Sequence, residues 1–70
     1  MKTRTEQISI YEMRDELRRE VAMRKRVYPR WVEIGKMSEH EANLQMLKMR
    51  ACLEFIELQT KRNDAQGDLF

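Results

Sequence analysis

Residues 38–58, SEHEANLQMLKMRACLEFIEL, carry apolar side chains on two opposite faces of one helix. At about 100° per residue, Ala42, Met46, Met49, Leu53 and Ile56 fall in one stripe, and Leu44, Leu47, Ala51, Phe55 and Leu58 fall in a second on the far side. Asn43, Arg50, Glu54, Glu57 and Lys61 run along one flank between them, and Gln45, Lys48, Cys52 and Gln59 along the other. A helix on the surface of a monomer needs only one apolar stripe. The second asks for a partner, and in 70 residues that partner is another polypeptide. Either stripe suits the internal role: the first has the stricter three-four spacing of a long seam, and the second has the larger anchor in Phe55.

The helix has a clear start. Ser38-Glu39-His40-Glu41 fits a capping box, with two acids in the first turn to complement the helix dipole. Just before it, Gly35 is a natural left-handed residue past a helix end. Upstream, Ile10, Met13, Leu17, Val21, Tyr28 and Trp31 recur at helical spacings, with Val27 and Ile34 on their flank. Arg24 falls inside that stripe, where its aliphatic stem can pack on the seam while the guanidinium reaches an acid. Thr5 or Ser9 is placed to cap this first helix, after a frayed lead-in over residues 1–7. Pro29 removes a hydrogen bond and disfavours the helical conformation at Tyr28, so a kink or short break is expected there, followed by a further turn or two begun by the proline. So short a connection makes the helices antiparallel neighbours. The fold class is all-α: an antiparallel helical hairpin over residues 1–62, kinked near Pro29, pairing with another copy into a four-helix arrangement. Helical propensity fades after Leu58, and Asn63, Asp64 and Gly67 mark residues 63–70 as a flexible tail.

Composition bounds the function. A 70-residue chain is one domain at most and buries only roughly 60% of its unfolded surface. Cys52 is the lone cysteine and no Cys or His cluster has metal-ligand spacing, so neither an internal disulfide nor a metal is expected to staple it. Oligomerisation remains. With no secretory leader and no apolar run near the roughly 20 residues of a membrane span, the expected setting is the cytoplasm, without a membrane partner. No cofactor is implied. An enzyme reading finds one His, one Cys, no Gly-rich phosphate loop and no isolated carboxylate pair. His40 stands among glutamates as a surface residue, Cys52 as a small packing residue with no base beside it, and Glu12 and Glu16 on a solvated face.

Charge is uneven: residues 1–36 hold ten Lys or Arg against six Asp or Glu, and residues 37–70 hold four against six. Arg18, Arg19, Arg24, Lys25, Arg26 and Arg30 crowd into one segment, with Arg19, Arg26 and Arg30 on the face opposite the apolar stripe. Such a row can follow phosphates and would bind nucleic acid in a salt-dependent way. The plainer account is a solvated face laced by four-apart pairs, Asp15 with Arg19 and Glu20 with Arg24.

The sequence ends in Gln66-Gly67-Asp68-Leu69-Phe70, with two large apolar side chains on a polar stretch that offers them nothing local to bury against. This pentapeptide resembles the bacterial sliding-clamp-binding motif, usually Gln, an aliphatic residue, Ser or Asp, Leu, Phe. Gln66, Asp68, Leu69 and Phe70 match it, and Gly67 departs from it. The resemblance gives Leu69 and Phe70 the role of filling an apolar pocket on the clamp and Gln66 that of a hydrogen-bonding anchor; Gly67 removes one apolar contact. The alternative is that Leu69 and Phe70 fold back to finish the hairpin's core. The acidic, aromatic end is also loosely similar to the tail of bacterial single-stranded-DNA-binding proteins, without their proline and acidic run.

Residues 26–32, RVYPRWV, followed by Gly35-Lys36-Met37-Ser38 and Glu41-Ala42, resemble small uncharacterised proteins of phages and prophages. That resemblance implies a two-helix fold and a phage or prophage origin, with no activity to carry over. The combined expectation is a non-enzymatic replication or recombination adaptor that engages the clamp. A helical nucleic-acid-binding protein and a structural assembly protein are the alternatives.

Overall fold

Ser9 and Ser38 begin the two long helices of the chain in the same way. Ser9 Oγ accepts from the Glu12 amide at 3.1 Å, and Ser38 Oγ accepts from the Glu41 amide at 3.0 Å, each satisfying a first-turn donor that has no partner within its helix. The computed structural model describes residues 5–67, with side chains described for residues 5–65. A short 3-10 helix, Thr5–Gln7, leads in, where the sequence suggests a frayed strand of chain. Helix α1 spans Ile10–Glu33 and helix α2 spans Glu39–Gly67. The two pack against each other as an antiparallel hairpin, the all-α class read from the periodicity.

The turn is a Schellman motif. Gly35 takes φ +81, its amide donates to the Val32 carbonyl at 3.2 Å, and the Lys36 amide donates back to the Trp31 carbonyl at 2.8 Å. Glycine at this position avoids the steric cost a Cβ would meet in the left-handed region.

Pro29 does not interrupt α1, which is continuous from Ile10 to Glu33. The expected break, with the proline starting a separate turn, is therefore corrected. Pro29 lies close enough to the C-terminal end that one missing amide hydrogen bond is tolerated by the turns on either side.

The exit from α2 also differs from expectation. The helix does not fade after Leu58 but runs through Asn63 and Asp64 to Gly67, so the boundary drawn at residue 62 falls inside it. A tertiary contact offsets the weak propensity: the Tyr11 hydroxyl donates to Asp64 Oδ1 at 2.6 Å and accepts from Asn63 Nδ2 at 3.1 Å. Asp68, Leu69 and Phe70 lie outside the described residues.

Register follows from the cross-helix polar pairs. Tyr11 meets Asp64 at one end and Arg18 meets Glu57 at 2.8 Å two turns on. The seven-residue step from Tyr11 to Arg18 along α1 is matched by a seven-residue step back from Asp64 to Glu57 along α2, as antiparallel neighbours require. The seam on α1 runs through Ile10, Leu17, Val21 and Tyr28. Met13 and Trp31, expected in it, lie about 60° off its centre at 100° per residue and stay partly open at its rim. Ile34 has left the helix and is more exposed still.

The interior is thin. Among the described residues only Val21, Ala42 and Thr60 are buried, and no large side chain is fully enclosed. Thr60 Oγ1 satisfies itself by donating to the Glu57 carbonyl at 2.8 Å. Arg14 and Arg24 fill the seam's gaps as amphipathic side chains. Arg24 donates to Glu20 at 3.0 Å with its guanidinium 5.8 Å from the centre of the Tyr28 ring, and Arg14 lies 5.5 Å from that of Tyr11.

Candidate interaction surfaces

The question left open by the two stripes of α2 is answered by burial. Ala42, Met46, Met49, Leu53 and Ile56 face α1, with Ala42 buried and the rest half-buried. The other stripe stands on the outside: Leu44 is 42% exposed, Leu47 64%, Phe55 62% and Leu58 49%, with Ala51 exposed among them. Five apolar residues on one continuous helix face make a contiguous patch, which is rare on a monomer unless it meets something. On one side the patch runs into a groove between the helices, walled by Ile8, Met13 and Leu17 from the first half and by Cys52, Phe55 and Ile56 from α2. Ile8 and Met13 carry no sequence signal for this role, because periodicity assigns Met13 to the seam and Ile8 precedes the helix.

A second surface lies on α1. Arg19, Met23 and Arg26 border one shallow depression, and Arg26, Arg30, Trp31, Ile34 and Lys36 the next, so the three arginines read from the sequence do share a face. They do not share a state. Arg19 is engaged by Glu16 three residues back, and that hydrogen bond, then the Glu16 charge, raises the guanidinium pKa above its ordinary value. The expected pairing of Asp15 with Arg19 is replaced: Asp15 is held by Arg14 at 3.0 Å. The Glu20–Arg24 pair forms as expected, and Arg18 is taken up by Glu57. Lys25, Arg26 and Arg30 have no carboxylate partner among the described residues. Trp31, its ring centre 5.9 Å from that of Tyr28, stands half-open between Arg26, Arg30 and Lys36.

His40 and Cys52 are both exposed, and no group of three or more His, Cys, Asp or Glu could hold a metal among the described residues. No described helix is long and apolar enough to cross a membrane. Of the pentapeptide, Gln66 and Gly67 are the closing residues of α2; the Gln66 side chain and all of Asp68, Leu69 and Phe70 fall outside the described residues. Compared with protein-family models, curated proteins and solved structures, the chain finds no match in any of the three.

Proposed function

We propose that the protein is a non-enzymatic helical adaptor that works as a homo-oligomer and engages the bacterial sliding clamp through Gln66, Asp68, Leu69 and Phe70, in a phage or prophage setting. The observation that carries the adaptor reading is the open stripe of Leu44, Leu47, Ala51, Phe55 and Leu58, a surface whose chemistry is to bind another polypeptide. The clamp is proposed as the partner from the sequence of residues 66–70 alone; its first two residues, Gln66 and Gly67, close α2 at the end of the hairpin away from the Gly35 turn. Pairing of two chains puts two such peptides on one particle, so that two weak contacts with a multivalent ring add through effective concentration. The test is binding of purified clamp by the full chain and by a variant lacking Leu69 and Phe70. Binding that disappears with those two residues supports the reading; equal binding by both, or binding by neither, refutes it.

A second reading is favoured by one observation, the grouping of Arg26, Arg30 and Lys36, none of them ion-paired among the described residues, around half-open Trp31. Cations that follow phosphates beside an aromatic face on which a base can stack are the elements of single-stranded nucleic-acid binding.

A further inference from the structure

The outer stripe of α2 is symmetric about Ala51. Leu47 and Phe55 stand four residues to either side of it, and Leu44 and Leu58 seven. A pattern that reads alike in both directions suits two copies of one helix packed antiparallel, with the twofold axis passing beside Ala51. The smallest side chain then sits at the point of closest approach, Leu47 meets the partner subunit's Phe55, and Leu44 meets the partner subunit's Leu58.

Charge selects the same direction. Arg50 and Glu54 lie on one flank of the stripe and Lys48 on the other. None of the three takes an ion pair inside the hairpin among the described residues. In an antiparallel pair a twofold axis perpendicular to the helices sets each flank against its own copy. Arg50 then lies within about 3 Å, measured along the axis, of the level of the partner subunit's Glu54 on one side and of the partner subunit's Arg50 on the other, so two carboxylates bracket the central arginine pair and balance its charge. A parallel pair sets opposite flanks together and brings Arg50 level with the partner subunit's Lys48 to the same tolerance, cation against cation. The helix dipoles also oppose favourably only when antiparallel.

The chain exposes 6145 Å², against about 4,700 Å² for a compact monomer of 8.5 kDa, so it is more open than a self-contained domain of its mass. From these observations we infer that the outer face of α2 binds a second copy of this chain antiparallel, centred on Ala51, as an α1–α2–α2–α1 layer. This deepens the homo-oligomeric reading above and rests on it. It also sends the two copies of Gln66 to opposite ends of the particle, roughly 45 Å apart by helical rise.

Disulfide trapping tests the register. In a Cys52→Ser background, Ala51→Cys places two thiols across the axis within bridging range, while the two copies of Leu44→Cys are separated by about 21 Å along the helices. Under a mild oxidant, Ala51→Cys is expected to convert to covalent dimer, Leu44→Cys alone to remain uncrosslinked, and an equimolar mixture of Leu44→Cys and Leu58→Cys to give the mixed covalent dimer. Self-bridging of Leu44→Cys, or failure of Ala51→Cys to bridge while circular dichroism shows it folded, overturns the arrangement. Clamp binding is read separately on the wild-type chain, so loss of the dimer and loss of the clamp reading are distinguishable.

Discussion

The Tyr11 hydroxyl donates to Asp64 Oδ1 at 2.6 Å, tying the first turn of α1 to the last turns of α2. The same oxygen accepts from Asn63, so one side chain satisfies two neighbours whose own propensities favour leaving the helix. Tyr11→Phe removes both bonds and leaves the ring. Because the site is exposed, the expected loss is about 1 kcal/mol, read by denaturant titration. Amide exchange should rise mainly over residues 61–67; a uniform rise along α2 would show that the contact does not specifically hold that end.

Gly35 separates backbone strain from packing. Its φ is +81, and a Cβ built there meets nothing within 4 Å. Gly35→Ala is therefore expected to lose stability through conformation alone, by about 1–2 kcal/mol, and Gly35→Asn by less, since asparagine tolerates the left-handed region. Equal losses for the two variants in thermal melts would contradict this account of the turn.

Pro29 stands inside a continuous helix without an amide to give to the Lys25 carbonyl. Pro29→Ala restores that donor and is expected to raise stability, by up to about 3 kcal/mol. A destabilised Pro29→Ala would mean that the ring itself contributes packing that outweighs the missing bond.

Arg26 and Arg30 have no carboxylate partner among the described residues, whereas Arg19 is engaged by Glu16. If the chain binds single-stranded nucleic acid, replacing both with glutamine should weaken binding and flatten its dependence on the logarithm of salt concentration by about 1.4. Arg19→Gln should change it less. Fluorescence anisotropy over a salt series checks this, and unchanged binding in the double variant removes the basic face as a nucleic-acid site.

The hairpin was legible because its punctuation is local. Ser38, Gly35 and the three-four spacing of Ala42, Met46, Met49 and Leu53 each act within a turn or two of their own positions. What the sequence concealed depends on distant residues. Asn63 and Asp64 read as a helix exit until Tyr11, more than fifty positions away, is brought against them. Met13 and Trp31 match the apolar period but fall to the rim, because the seam's centre is set by which face of α2 it meets. Arg19 choosing Glu16 over Asp15 is a rotamer outcome, since three-apart and four-apart spacings are equally permitted. That α2 carries two stripes was plain from its residues; which one faces inward required the fold.

Whether the outer stripe of α2 meets another chain is read by sedimentation equilibrium. Leu47 is on the open face and Leu53 is against α1. The wild type is expected at twice the 8.5 kDa chain mass, Leu47→Glu as a helical monomer, and Leu53→Glu as an unfolded chain by circular dichroism. A wild type that remains monomeric at high micromolar concentration would contradict the account.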